Sequence, residues 1–146
     1  MGEQQIDVTA RSRADADTVF ALVADGSTWP TWSPLGSFEL ERPGERAPEG
    51  LGAIRVFRTG RVTSREQVVE LIPARRLSYA LLSGLAVRDY RADVDLTPSD
   101  GGTVVRWRAR FRAKVPGTGW LYRRILGRFI RQCADGLAAH AANSAR

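Results

Sequence analysis

Apolar and polar residues alternate with period two over residues 5–12, with Ile6, Val8 and Ala10 on one side and Asp7, Thr9 and Arg11 on the other. That alternation predicts a strand with one buried face. The period then changes. Ala16, Val19, Phe20 and Val23 recur at helical spacing behind Asp15, which is suited to cap the helix, and Asp17 sits where the helix dipole favours an acid. Asp25 and Gly26 close this helix. The following stretch TWPTWSPLG, residues 28–36, holds two of the four tryptophans, three positions apart. Pro30 suits a first helical turn and Pro34 discourages its continuation, so one short turn is predicted there.

Six further strands are predicted over residues 37–42, 52–59, 61–72, 76–83, 86–97 and 103–113, separated by Pro, Gly, Ser and Asp clusters that mark turns. The last pair is joined by PSDGG. Keeping Tyr90, Ala92 and Val94 on one face with Trp107, Ala109 and Phe111 sets Asp95 beside Arg106 and Asp93 beside Arg108 on the other. Much of that arginine row then reads as a cross-strand, solvated outer surface. The final pattern, residues 118–145, predicts a long amphipathic helix with Leu121, Ile125, Phe129, Ile130, Cys133 and Leu137 along one stripe. Such a stripe is a better cover for the apolar face of the sheet than a membrane anchor, since the sheet would otherwise lie open to water.

Composition adds bounds to this picture. The 146 residues, 43% of them apolar, suffice for one domain spanning residues 1–146 with a sizeable core. There is no apolar run of membrane-spanning length and no secretory pattern at the N-terminus, so a cytoplasmic protein without membrane insertion is expected. Charge is uneven: residues 1–73 carry 8 Arg against 11 acids, and residues 74–146 carry 14 Arg and Lys against 5 acids, which together give the net +6. All basic residues but Lys114 are Arg. With the arginine row read as salt-bridged surface, no nucleic-acid partner is expected.

The order strand, helix, short helix, six strands, long helix resembles the START-like helix-grip superfamily, which includes polyketide cyclases, dehydrases and lipid-transfer proteins. ADADTVFALVADGSTWPTW is similar to that group's first helix and tryptophan-bearing turn, VVELIPARRLSYAL to its central hairpin, and GGTVVRWRARFRAKVPGTGWL to its last strand and the start of the long helix. The resemblance implies an α+β fold in which a curved seven-stranded antiparallel sheet wraps a long C-terminal helix, with two short helices after the first strand. It also implies a cavity between sheet and helix for a hydrophobic small molecule.

Candidate chemistry is sparse. His140 is the sole histidine and lies near the C-terminus, and Cys133 is the sole cysteine, so a metal site, a histidine-based triad and a disulfide lack material. No cofactor is expected and no catalytic residue is assigned. Ligand-lining positions are expected at Trp32, Phe57, Tyr79, Arg88, Tyr90, Trp107, Phe129 and Cys133. Strict alternation points Arg88 inward with Tyr90 and Ala92, where its charge would need Glu66, Glu70 or a ligand oxygen as partner; the other reading leaves Arg88 exposed at the rim. Three functions stay open: a binder of a polyketide, lipid or related metabolite; an aromatase or cyclase acting on a substrate tethered to an acidic carrier protein; and a basic interaction module without ligand. The sequence leaves oligomeric state undetermined.

Overall fold

The computed structural model describes residues 2–144, so Ala145, the last residue of the expected final helix, lies outside the described residues. Seven strands form one antiparallel sheet: β1 (Gln4–Ser12), β2 (Ser37–Arg42), β3 (Ile54–Thr59), β4 (Val62–Ile72), β5 (Arg76–Ser83), β6 (Val87–Ser99) and β7 (Gly102–Ala113). Their order across the sheet is β1-β7-β6-β5-β4-β3-β2, so β2 to β7 form a meander and β1 adds at the β7 edge. The helices are α1 (Ala16–Ala24), α2 (Trp29–Trp32) and α3 (Gly119–Ser144). A 3₁₀ turn, Gly26–Thr28, links the first two.

Local chemistry explains the element ends. Asp15 accepts a hydrogen bond from the Thr18 amide at 2.8 Å, capping α1, while Asp25 accepts from the Ser27 amide at 3.1 Å. Pro30 lies in the first turn of α2, where its missing N–H removes no helical bond. α3 packs along β1 and the C-terminal part of its inner face, Ile130, Cys133, Ala134 and Leu137, is fully buried. Gly136 is required there, because a Cβ at that position would collide with the Trp32 carbonyl oxygen. The close approach of α2 to α3 thus depends on a residue without a side chain.

The β6–β7 register is the expected one, with Ala92 opposite Ala109, Asp93 opposite Arg108, Val94 opposite Trp107 and Asp95 opposite Arg106. The ion pairs made by these β6 and β7 residues run diagonally or along a strand, while Arg76 on β5 reaches Asp95 straight across. Arg108 reaches Asp95 at 2.7 Å, Arg106 turns to Asp7 on β1 at 2.6 Å, and Asp93 pairs with Arg91 at 3.1 Å.

Two expectations are corrected. Arg88 is exposed, because a β-bulge between Arg88 and Arg91 inserts one residue: Asp89 takes a left-handed conformation (φ 52°), and Val87 and Tyr90 both face inward while Arg88 and Asp89 face out. The inner stripe of α3 holds at Ile130, Cys133 and Leu137 but differs from the expected one over the first turns of the helix. Leu121 and Ile125 are exposed, whereas Leu126 is buried and Tyr122 packs partly against the core. Successive steps of four residues turn 400°, so a stripe built on them drifts around a 3.6-residue helix.

Candidate functional site

The interior face of the sheet carries one charged pair. Arg55 on β3 is fully buried and lies directly opposite Glu66 on β4, itself 7% exposed. The Arg55 Nη1 donates to the Val23 carbonyl at the end of α1, at 3.1 Å, and lies 3.5 Å from Glu49. Its Nη2 is 3.6 Å from Glu66 Oε1, an ion pair longer than a hydrogen bond. Arg55 Nε, Arg55 Nη2 and Glu66 Oε1 are buried without a hydrogen-bond partner among the described residues. Each such atom costs about 1–3 kcal/mol unless something else satisfies it.

Aromatic side chains enclose the pair. The Arg55 guanidinium lies 4.8 Å from the Trp29 ring centroid and 5.5 Å from that of Phe57, within cation–π range. Trp29 packs on Trp32 at 4.9 Å, Phe57 at 5.0 Å and Trp107 at 5.7 Å, and its indole N–H donates to the same Val23 carbonyl that receives Arg55. Trp107 in turn donates to the Tyr79 hydroxyl at 3.3 Å. Tyr79 and Tyr90 lie 6.4 Å apart, and Tyr90 stacks on Phe111.

Burial governs the electrostatics. Desolvation pushes the Glu66 carboxyl up to about 7, against the pull of the Arg55 charge. Glu49 is raised as well by desolvation, although the Gly26 amide donates to it at 2.7 Å. The Tyr79 and Tyr90 hydroxyls and the Cys133 thiol are all raised, first by burial and further by the negative charge of Glu66. All three stay neutral over the range in which Glu66 changes charge. The arrangement therefore offers one fixed cation, one carboxyl that titrates near neutrality and two neutral phenols in an apolar enclosure.

The expected site residues divide accordingly. Phe57, Tyr79, Tyr90, Trp107 and Cys133 come together between the sheet and α3, and Phe129 packs partly against the same core. Trp32 is buried beside them, but Trp29 is the tryptophan that covers Arg55. Arg88 is not part of this group. The interior arginine is Arg55, which the sequence pattern does not single out, and its carboxylate is Glu66 rather than Glu70. A second bulge, between Val68 and Glu70, turns Glu70 to the outer face, where it pairs with Arg91 at 2.8 Å. The alternation of Arg55 with Ile54 and Val56 gives no cue, because all three are buried.

Side chains occupy the space between sheet and α3. Trp29, Phe57, Trp107, Phe111, Ile130 and Leu137 are each no more than 1% exposed. An open cleft of about 400 Å³ is lined in part by Gln4, Arg88, Arg112 and Trp120, at the start of α3. Among the described residues, no group of three or more His, Cys, Asp or Glu is placed to hold a metal ion, and no helix is long and apolar enough to cross a membrane.

Comparison with known proteins agrees with this architecture. The sequence profile of the family described as polyketide cyclase / dehydrase and lipid transport matches residues 3–142. A search of curated proteins gives no match. Among solved structures, a START superfamily protein from Mycobacterium smegmatis superposes with a TM-score of 0.83 at 14% identity, covering 97% of this chain and 99% of that one. The di-domain ARO/CYC StfQ from the steffimycin biosynthetic pathway gives a TM-score of 0.80 at 17% identity, covering 98% of this chain and 52% of that one, about half of the di-domain protein. A protein from Thermobifida fusca gives 0.73 at 24% identity, covering 92% and 93% of the two chains. By sequence profile and by fold, the chain belongs to the polyketide cyclase / dehydrase and lipid transport family and has the START-like helix-grip architecture.

Proposed function

We propose that this protein binds an apolar small molecule between the sheet and α3, and that the Arg55–Glu66 pair holds an oxygen of that molecule. One observation carries the reading: inside an aromatic enclosure three buried polar atoms of Arg55 and Glu66 make no hydrogen bond among the described residues, two of them facing each other only as an ion pair at 3.6 Å. A carboxylate, enol or phenol would satisfy the Arg55 donors, and Glu66, protonated below about pH 7, would donate to a second oxygen. Polyketides and aromatic or fatty acids have this combination of an apolar body and an acidic oxygen. Because side chains fill the interior, binding calls for the turn of α2, with Trp29 and Trp32, to part from α3.

A second reading rests on the Glu66 carboxyl near 7. A base with that affinity, facing a fixed guanidinium, suits removal of a proton next to a carbonyl with the resulting enolate oxygen held by Arg55. This is the chemistry a cyclase needs, and the likeness in fold to one half of an ARO/CYC protein is in keeping with it.

Two fluorescent probes test the first reading, anilinonaphthalene sulfonate as the anion and N-phenylnaphthylamine as its neutral counterpart. The wild-type protein is expected to bind both. Arg55→Leu should weaken the anion by about 30-fold or more, the effect of removing one partner of a buried charge pair, and spare the neutral probe. Failure of the wild-type protein to take up either probe would contradict the proposal. Equal loss of both in Arg55→Leu would remove Arg55 from the recognition of charge.

A further inference from the structure

The start of α3 presents apolar side chains to solvent on the face turned away from the sheet. Trp120 is 59% exposed, Ile125 53% and Leu121 40%, and Val115 in the preceding loop is 52% exposed. The helical period places Trp120, Leu121 and Ile125 on one face with Arg124 and Arg128 between them, whereas Leu126, Ile130, Cys133 and Leu137 point the opposite way into the core. This part of the chain is also free of acids: none occurs between Asp100 and Asp135, a span that holds nine Arg and Lys residues.

A second observation lies beside Trp120. Arg88 on β6 and Arg112 on β7 are direct cross-strand partners, both exposed, and both line the open cleft of about 400 Å³ that Trp120 borders. Like charges directly opposite one another destabilise a sheet. Neither has a carboxylate within salt-bridge distance among the described residues, although Asp89 adjoins Arg88 in the bulge. The pair forms a cationic fork without an anion.

We propose that this face docks on the surface of an anionic lipid bilayer, with Trp120, Leu121 and Ile125 inserted at the level of the acyl boundary and a headgroup phosphate between Arg88 and Arg112. Charge complementarity and shape both favour a bilayer. The apolar side chains project from a convex helix face and are interleaved with guanidinium groups, the pattern that lies in a membrane interface with its cations at the phosphates. The surface is distinct from the Arg55–Glu66 site and does not depend on that site's occupancy.

Sedimentation with vesicles tests it, using phosphatidylcholine alone and phosphatidylcholine mixed with phosphatidylglycerol. The protein is expected to sediment with the mixed vesicles, and to be released at about 0.5 M salt, where the screening length shrinks to roughly 4 Å. Arg124→Gln and Arg128→Gln should each lower partitioning about fivefold, and Trp120→Ala about tenfold. All of these side chains are exposed, so thermal unfolding of the variants should match the wild type. The other three tryptophans are buried, so quenching by brominated lipid reports Trp120, and it should vanish in Trp120→Phe. No binding to the mixed vesicles at low salt would overturn the proposal. So would binding without quenching by brominated lipid, or capture of a soluble acidic protein by the same arginines without any vesicle binding.

Discussion

Replacing Glu66 by glutamine isolates the electrostatic cost of the interior pair. In the unfolded chain Glu66 ionises near its ordinary value of 4.5, whereas in the folded protein it holds its proton up to about 7. At pH below 4.5 both states are protonated and the shift contributes nothing. Between those limits the folded state binds a proton that the unfolded chain has released, so stability falls as pH rises, and above about 7 the full penalty applies. At about 1.4 kcal/mol for each pH unit, the interval from 4.5 to about 7 amounts to about 3 kcal/mol. A glutamine amide at this position cannot ionise. The stability of the wild type minus that of Glu66→Gln should therefore decline by about 3 kcal/mol as the pH rises through this interval, and level off above it.

Urea unfolding of both proteins at pH values from about 4 to about 8.5 measures this difference. Tyr79, Tyr90 and Cys133 have values raised by burial and stay neutral throughout, and Glu49, the other carboxyl beside Arg55, is also raised by desolvation but is present in both proteins. Asp7, Glu41 and Asp93 have lowered values, and the stability they contribute is lost only at pH below their ordinary range. Their effects are common to both proteins and cancel in the difference. Parallel pH profiles, or a difference that grows with pH, would refute the reasoning.

Arg55→Leu should destabilise the fold by about 3–5 kcal/mol, because it strands Glu66 in the core, and the double variant Arg55→Leu/Glu66→Leu should recover much of that loss in the same urea assay. Gly136→Ala should cost about 2 kcal/mol, through collision with the Trp32 carbonyl, while Gly127→Ala on the same helix, with open space around it, should be neutral or stabilising by up to about 1 kcal/mol. The Cys133 thiol is buried and its value raised, so Ellman's reagent should label it only after unfolding, a result read directly from the rate of colour development with and without urea.

The parts of this molecule that were legible in its sequence are those where one rule acted alone. On β6 and β7 the apolar alternation of Tyr90, Ala92 and Val94 against Trp107, Ala109 and Phe111 left one register that buried every apolar residue, and the fold has it. The apolar lining was legible, but the charged residues were not, because two rules competed at Arg88 and at Arg55. Alternation put Arg88 inside, yet the bulge at Asp89 shifts the phase; aspartate enters the left-handed region more readily than most residues, but one Asp within an alternating run does not mark a bulge. At Arg55 the flanking Ile54 and Val56 suggest an outward-facing arginine, but both faces of β3 are covered, so polarity no longer reports direction. The unexpected exposure of Leu121 and Ile125 has a related origin. Apolar residues at steps of four read as one stripe, and only the drift of the helical turn separates those facing the sheet from those facing water.

Native mass spectrometry of the purified protein, compared with its denatured form, tests the central claim most directly when it is repeated on Arg55→Leu. The account expects the wild type to retain a small apolar acid or phenol that appears free on denaturation, and expects Arg55→Leu to be isolated without it. A ligand retained equally by both proteins, or a wild type that is empty and takes up neither the anionic nor the neutral probe, would contradict the assignment of Arg55 and Glu66 as the anchor of a binding site.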